Sequence, residues 1–346
     1  LFLAAVFFVF NAAAGPVRAG FGRYFPEKYE KERETLTVSL TTGRIMDLDG
    51  RVVETKRAGF EYEERREEYE RYLENYTLDE LGFDDSYPLL GLTFEKRWRW
   101  FTFVFDGAYF DIDVSSVAER EDFAVEVKEV EYGGNEYEHM LIPRGREFDT
   151  EVQGGIVAFN ALFTPFHVTF DDTFHLSPWL HFGVYSFSGD FTIDAGPAEG
   201  LTHYEIVDYD YVIGGKGEGW LGAGFPEIGL GGEVILEVLP EYFLVFQANF
   251  VTVDWEGSTD DFGITVRHEK DIELEYENSE IKVFVEFPMK KRFEFLAGIK
   301  YQNMEADAVV EARDRSDEEQ LELREKYDKN ISFDLTTLSA FTSIRF

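Results

Sequence analysis

Residues 281–302 read Ile281-Lys282-Val283-Phe284-Val285-Glu286-Phe287-Pro288-Met289-Lys290-Lys291-Arg292-Phe293-Glu294-Phe295-Leu296-Ala297-Gly298-Ile299-Lys300-Tyr301-Gln302, and this stretch decides the fold. Ile281, Val283, Val285 and Phe287 alternate with Lys282, Phe284 and Glu286. Beyond Pro288-Met289-Lys290-Lys291, Phe293, Phe295, Ala297, Ile299 and Tyr301 alternate with Glu294, Leu296, Gly298, Lys300 and Gln302. Successive side chains of a strand point to opposite faces, so this period of two gives each arm one apolar and one polar face. Two such arms joined by a short turn predict a transmembrane hairpin.

The same alternation recurs upstream. Ile272, Leu274 and Tyr276 alternate with Glu273, Glu275 and Glu277, and Tyr185, Phe187, Gly189, Phe191 and Ile193 with Ser186, Ser188, Asp190, Thr192 and Asp194. A soluble sandwich alternates too. What separates a membrane barrel is strands longer than about five or six residues and aromatics gathered at the short turns. Trp98 and Trp100 bracket one turn, Trp179 follows another, Tyr242 and Phe243 follow Pro240, and Phe287 and Phe293 flank a fourth, as in an aromatic girdle at one interface. Strands are expected at 33–42, 86–97, 100–114, 149–164, 177–195, 218–239, 242–255, 270–287, 293–311 and 329–346. The expectation is an all-β, antiparallel up-and-down transmembrane barrel of about ten strands, with eight and twelve as alternatives. The alternative counts turn on an extra hairpin centred on Gly133-Gly134-Asn135 and on a split within 204–225. Short turns near 98, 170, 240 and 290 and long polar connections between them place the long loops outside the cell.

Composition agrees with an exported chain. The 346 residues carry 33 Lys plus Arg against 69 Asp plus Glu, a formal charge of −36 that argues against nucleic acid as a partner. The hydrophobic share of 44% and aromatic share of 17% exclude a disordered acidic chain, and the absence of Cys removes disulfides and thiolate metal sites. The apolar run Leu1–Phe10, followed by Ala12-Ala13-Ala14 and Val17-Arg18-Ala19, reads as a partial signal peptide over 1–19, cleaved after Ala14 or Ala19, with one barrel domain over 20–346. Ten apolar residues are too few to span the bilayer as a helix, which takes about twenty.

Ser177-Pro178-Trp179-Leu180-His181-Phe182-Gly183-Val184-Tyr185, Leu230-Gly231-Gly232-Glu233-Val234-Ile235-Leu236 and Tyr242 to Phe250 resemble strands of the small bacterial outer-membrane β-barrel proteins. The chain ends Ile344-Arg345-Phe346, and an aromatic closing an alternating strand looks like the signal read by the outer-membrane assembly machinery. The resemblance covers roughly residues 177 to 346 and implies fold and location in the cell outer membrane, not activity. The lipid or lipopolysaccharide of that membrane and its assembly machinery are the partners it implies.

The long loops supply the remaining candidates. Tyr69, Tyr72, Leu73 and Tyr76 at helical spacing, with Glu61 to Arg65 and Glu67 to Arg71 at i,i+4, predict a short helix over the barrel mouth. Ser316-Asp317-Glu318-Glu319 resembles a capping box opening a second helix that runs to about Lys326. No cofactor is expected, but clustered carboxylates such as Asp84-Asp85, Asp260-Asp261 and the Glu273, Glu275, Glu277 row suit Ca²⁺ or Mg²⁺. Asp47-Leu48-Asp49-Gly50 carries only part of a calcium loop and reads as a turn. Glu273, Glu275, Lys282, Glu286, Glu294 and Lys300 are the candidate lumen charges. Gly214-Gly215-Lys216-Gly217-Glu218-Gly219 lacks phosphate-loop spacing and reads as tight backbone in a curved strand. Histidines show no metal-binding spacing. Three functions follow, in this order: a scaffold presenting acidic extracellular loops to surfaces, ligands or cations; a narrow cation-preferring pore; and a hydrolase similar to the ten-stranded omptins. The last would rest on Asp111 and Asp113 with His268 and Asp271, although neither local motif of that family is present.

Overall fold

The computed structural model describes residues 17–24, 34–62, 65–83, 86–120, 123–170, 173–204, 209–258, 268–290, 293–314 and 324–346. Ten strands form the wall: β2 (Glu34–Tyr62), β4 (Tyr87–Trp98), β5 (Phe101–Val117), β8 (Glu147–Phe163), β10 (Phe174–Asp194), β13 (Lys216–Leu239), β14 (Tyr242–Ser258), β15 (His268–Lys290), β16 (Phe293–Asp314) and β17 (Arg324–Arg345). Each pairs antiparallel with the next, and β17 pairs with β2 from Arg345↔Thr37 to Arg324↔Gly59, closing the ring. Over the short-turn half of the ring both edges of each wall strand are paired, the condition for placing backbone amides in hydrocarbon.

The described residues hold seventeen strands, more than the expected ten, because seven lie outside the ring. At the short-turn end, β1 (Val17–Phe21) pairs with β9 (Phe166–Phe170), which folds back on the start of β10. At the other end, β3 (Arg65–Thr77) pairs with the outer part of β2, β6 (Phe123–Tyr132) with β7 (Asn135–Ile142), and β11 (Gly200–Tyr204) with β12 (Tyr209–Ile213). Over its described residues the helix expected at 61–76 is therefore strand, the end of β2 and most of β3. β2 runs 29 residues, and its free backbone edge recruits the returning chain into a ladder. The second expected helix begins outside the described residues, and at Arg324–Lys326 the chain is already β17. The turn expected at Asp47–Gly50 lies inside β2, with Asp49 opposite Asp334. Gly214 and Gly215 make the turn between β12 and β13 with φ of 70° and 103°, so they are a turn rather than a curved strand.

The apolar face changes sides partway along the strands. On β10, Leu180, Phe182 and Val184 point outward, whereas Tyr185 and Ile193 are buried inside and Ser188 and Asp190 face out. On β16, Phe293, Ile299 and Tyr301 are exposed and Met304 and Ala306 are buried; on β5, Phe101, Phe103, Phe105 and Tyr109 face out and Phe110 and Ile112 in. β17 does the same between Leu335, inside, and Leu338, outside. Below the switch lies an outward belt of about ten residues per strand, which at ~3.3 Å per residue and ~40° of tilt is ~25 Å tall. That is the hydrocarbon height of an outer-membrane barrel, and a closed apolar belt of this extent has no place in water.

The short-turn rim carries the girdle. Trp98 packs edge-on to Phe103, Trp100 stacks on Phe163, and Tyr242 and Phe293 meet Phe287 and Phe346 edge-on. Trp98 and Trp100 are each 38% exposed. Trp179 and Phe243, expected in the girdle, are 2% and 4% exposed and belong to the lumen, because they occupy the inward parity of β10 and β14. Ile344 and Phe346 lie on the outer face, and Phe346 exchanges backbone hydrogen bonds with Leu36.

Candidate functional site

The change of side divides the lumen into two tiers. Within the belt the inward positions are polar and paired. Arg97 donates to Glu233 at 2.9 Å and also contacts Glu95, and Gln247 donates to Glu233 at 2.6 Å. Arg23, just after β1, reaches the same carboxylate at 3.9 Å and lies over the Trp179 ring, whose indole nitrogen donates to Asn249 at 2.6 Å. The segment carrying Arg23 is fixed by backbone bonds from Gly22 to Pro165 and from Arg23 to Arg99, and Tyr24 stacks on His175. Arg345 holds Glu286 at 2.5 Å and Glu294 at 3.4 Å, while Glu280 takes both Lys282 (3.0 Å) and Lys300 (2.7 Å). These groups fill the membrane-spanning lumen with side chains.

Of the lumen charges proposed from sequence, Lys282, Glu286, Glu294 and Lys300 lie inside, paired with Arg345, Glu280 and Asp106 rather than with one another. Glu273 and Glu275 do not: both are exposed on the outer face of β15, above the switch, where Leu274 and Tyr276 take the inward positions. Asp111 and Asp113 are likewise exposed on the outer face of β5. β5 and β15 stand five places apart in the ring of ten, so the carboxylates and the His268–Asp271 segment are on opposite sides of the barrel, and no hydrolytic centre is assembled from them. Among the described residues no group of His and carboxylates is arranged to hold a metal. Asp84-Asp85 and Asp260-Asp261 lie outside the described residues.

Above the switch the lumen is mainly apolar, with Arg51, Glu126, Lys128, Glu138 and Lys329 also on its wall. A cavity of about 710 Å³ opens there, walled among others by Ile45, Ile112, Val152, Phe187, Phe191 and Phe333. Its outer side is covered by the β6–β7 hairpin, which turns at Gly133-Gly134 and folds over the mouth instead of joining the ring. Val125 and Val127 face the chamber, Phe123, Met140 and Ile142 are fully buried, and Val127 lies against Gly217, where any side chain would meet it at 2.7 Å. β7 is pinned by a parallel pairing to β12, and β6 touches the free edge of β13 at Gly217 and Glu218. On that same edge of β13 the ladder to β14 ends at Gly229↔Val251, so among the described residues the outer part of that edge has β6 and no wall strand beside it.

The chamber rests on a smaller polar pocket of about 60 Å³. On β10 the pocket is lined at His181 and Tyr185 and the chamber at Phe187, Phe191 and Ile193; on β16 the sequence is Lys300 and Gln302, then Ala306 and Ala308. Ile156 lines both. Glu227 forms the pocket's centre, accepting from Tyr276 at 2.8 Å and Asn278 at 2.6 Å and facing His181 Nε2 at 3.3 Å. Neither Glu227, Arg97 nor Glu233 was singled out from sequence; the signal available was their inward parity in otherwise apolar or glycine-rich strands.

No family model matches the chain, and no curated protein sequence matches it. Solved structures do. The outer membrane protease OmpT of Escherichia coli matches over 90% of this chain and 97% of its own at 10% identity and a TM-score of 0.32. The toluene transporter TodX of P. putida matches over 92% and 91% at 9% identity and 0.26, and a Pseudomonas aeruginosa FadL homologue over 91% and 90% at 8% and 0.24. All are outer-membrane β-barrels, and at these scores the likeness carries no argument about activity.

Proposed function

We propose that this protein is an outer-membrane β-barrel whose membrane segment is closed and whose outer chamber binds an apolar small molecule. The observation that carries the reading is the switch of the apolar face from lipid to lumen, which creates a cavity of about 710 Å³ walled mainly by aromatic and branched side chains. Burying apolar surface from water stabilises by about 25 cal/mol per Å², so such a chamber favours an apolar guest, and its size suits a drug-sized molecule. The paired charges in the belt weigh against the cation-preferring pore, since a ten-stranded lumen is narrow and here filled.

The reading is tested by equilibrium dialysis of naphthalene against the barrel in lipid nanodiscs, with empty nanodiscs as the blank. Saturable retention that is lost in Ala306→Phe, which fills the chamber, is the expected result; folding of the variant is checked by its heat-dependent shift in gel mobility. Retention no greater than that of empty nanodiscs sinks the reading.

A second reading, display of acidic surface to cations, is favoured by one row of residues. Glu277, Glu305, Asp334 and Asp49 stand directly opposite one another on four adjacent strands, all on the outer face just above the belt. Like charges in that position repel, and divalent cations shared with anionic lipid or lipopolysaccharide headgroups would relieve them.

A further inference from the structure

The pocket beneath the chamber has hydrogen-bonding capacity left over, and of a particular kind. Its charged groups are engaged: Glu227 with Tyr276 and Asn278, Glu280 with Lys282 and Lys300, and Asp106 with Thr93 and, at 3.7 Å, Lys300. Among the described residues two buried atoms there have no hydrogen-bond partner, the Tyr185 hydroxyl and His181 Nδ1, and their residues are 2% and 3% exposed. Leaving a buried hydroxyl unpaired costs free energy that a ligand supplying the partner would recover. Tyr185, the inward neighbour of Phe187 on β10, lies at the end of the pocket that meets the apolar chamber, with His181 two inward positions below it.

We propose that this pocket seats the uncharged, hydroxyl-bearing end of the ligand whose apolar body fills the chamber, with Tyr185 as its hydrogen-bond partner. The inference rests on the chamber being a binding site and adds the ligand class. An alcohol or phenol matches a seat whose free hydroxyl can both give and accept a hydrogen bond, because Tyr185 can do either, with His181 Nδ1 beside it as a second polar atom whose role follows the ring's tautomer. A carboxylate is excluded by charge. Asp106, Glu227 and Glu280 line the pocket against Lys300 alone, and that ammonium already lies between Glu280 and Asp106. An ammonium group finds no unpaired carboxylate to meet it, and must lose its hydration to enter.

The test compares ligands of one shape: naphthalene, 2-naphthol, 2-methoxynaphthalene, 2-naphthoate and 2-naphthylmethylammonium, by equilibrium dialysis with the barrel in nanodiscs. We expect 2-naphthol to bind about tenfold tighter than naphthalene, as one recovered hydrogen bond implies. The methyl ether can accept from Tyr185 but cannot donate, so it should bind between naphthalene and naphthol, and both ions should bind more weakly than naphthol. In Tyr185→Phe the naphthol-to-naphthalene ratio should fall to about one. Equal affinity of naphthol and naphthalene in the parent protein overturns the seat while leaving the chamber intact, and needs no variant to fold. Tightest binding of either ion overturns the uncharged head. If no member of the series binds, the chamber reading itself has failed.

Discussion

Replacing Glu233 by Gln tests whether the membrane segment of the lumen is filled and dry. Glu233 is fully buried and takes Arg97 at 2.9 Å and Gln247 at 2.6 Å, with Arg23 at 3.9 Å. Removing one partner from a buried ion pair costs about 3–5 kcal/mol, because the remaining charge stays desolvated. Here Glu95 still meets Arg97, but Arg23 would keep only the face of Trp179, so the loss should be about 3 kcal/mol, the low end of that range. With a urea slope of roughly 2–3 kcal/mol per M, the unfolding midpoint of the refolded barrel should fall by about 1 M. Adding Arg97→Gln to Glu233→Gln should cost less than the sum of the two, with a coupling of about 0.5–3 kcal/mol. The assay is tryptophan emission against urea in detergent. A midpoint unchanged by Glu233→Gln would mean that water screens these groups, as in an open pore, and would refute the closed lumen.

Three further outcomes follow from other parts of the molecule. Val17–Phe21 is paired along its length with β9, so cleavage after Ala14 keeps β1 whole and cleavage after Ala19 removes three of its five residues; N-terminal sequencing of the protein from membranes should show the former. Gly219→Ala places a Cβ within 2.2 Å of the Phe191 ring, which must swing into the chamber; the change should destabilise by about 1–3 kcal/mol and weaken naphthalene retention, read by urea unfolding and dialysis. Asp334→Asn removes one carboxylate from the outer row and should raise stability by about 0.2–1 kcal/mol in chelator, with the gain shrinking when Mg²⁺ is added.

Much of the wall was legible because strands in a ring alternate with a strict period. The expected spans for β4, β5, β14 and β16 fall within a few residues of the observed strands, and the turns at Pro240 and after Trp98 lie where Pro and Trp mark them. The lumen was not legible, for one physical reason. Alternation says which residues share a face but not which face meets lipid, and taking every apolar face as outward put Glu273 and Glu275 in the lumen. Phe187, Phe191 and Ile193 show the other half of that error: their apolar row faces the chamber, and it follows Leu180, Phe182 and Val184 out of phase by one residue. That phase slip is present in the sequence and marks both the outer membrane boundary and the chamber floor. The first loop misled for a different reason. Tyrosines at helical spacing predict an amphipathic helix only if the backbone has no better partner, and the long edge of β2 offered one.

The most direct test of the account is a crystal of the barrel grown with 1-bromonaphthalene, phased so that bromine is located by its anomalous scattering. The account predicts a peak inside the lumen, among Ile112, Phe191 and Phe333 and above Tyr185. A peak only on the outer belt, or none, would show that the chamber does not take an apolar guest and would contradict the proposed function.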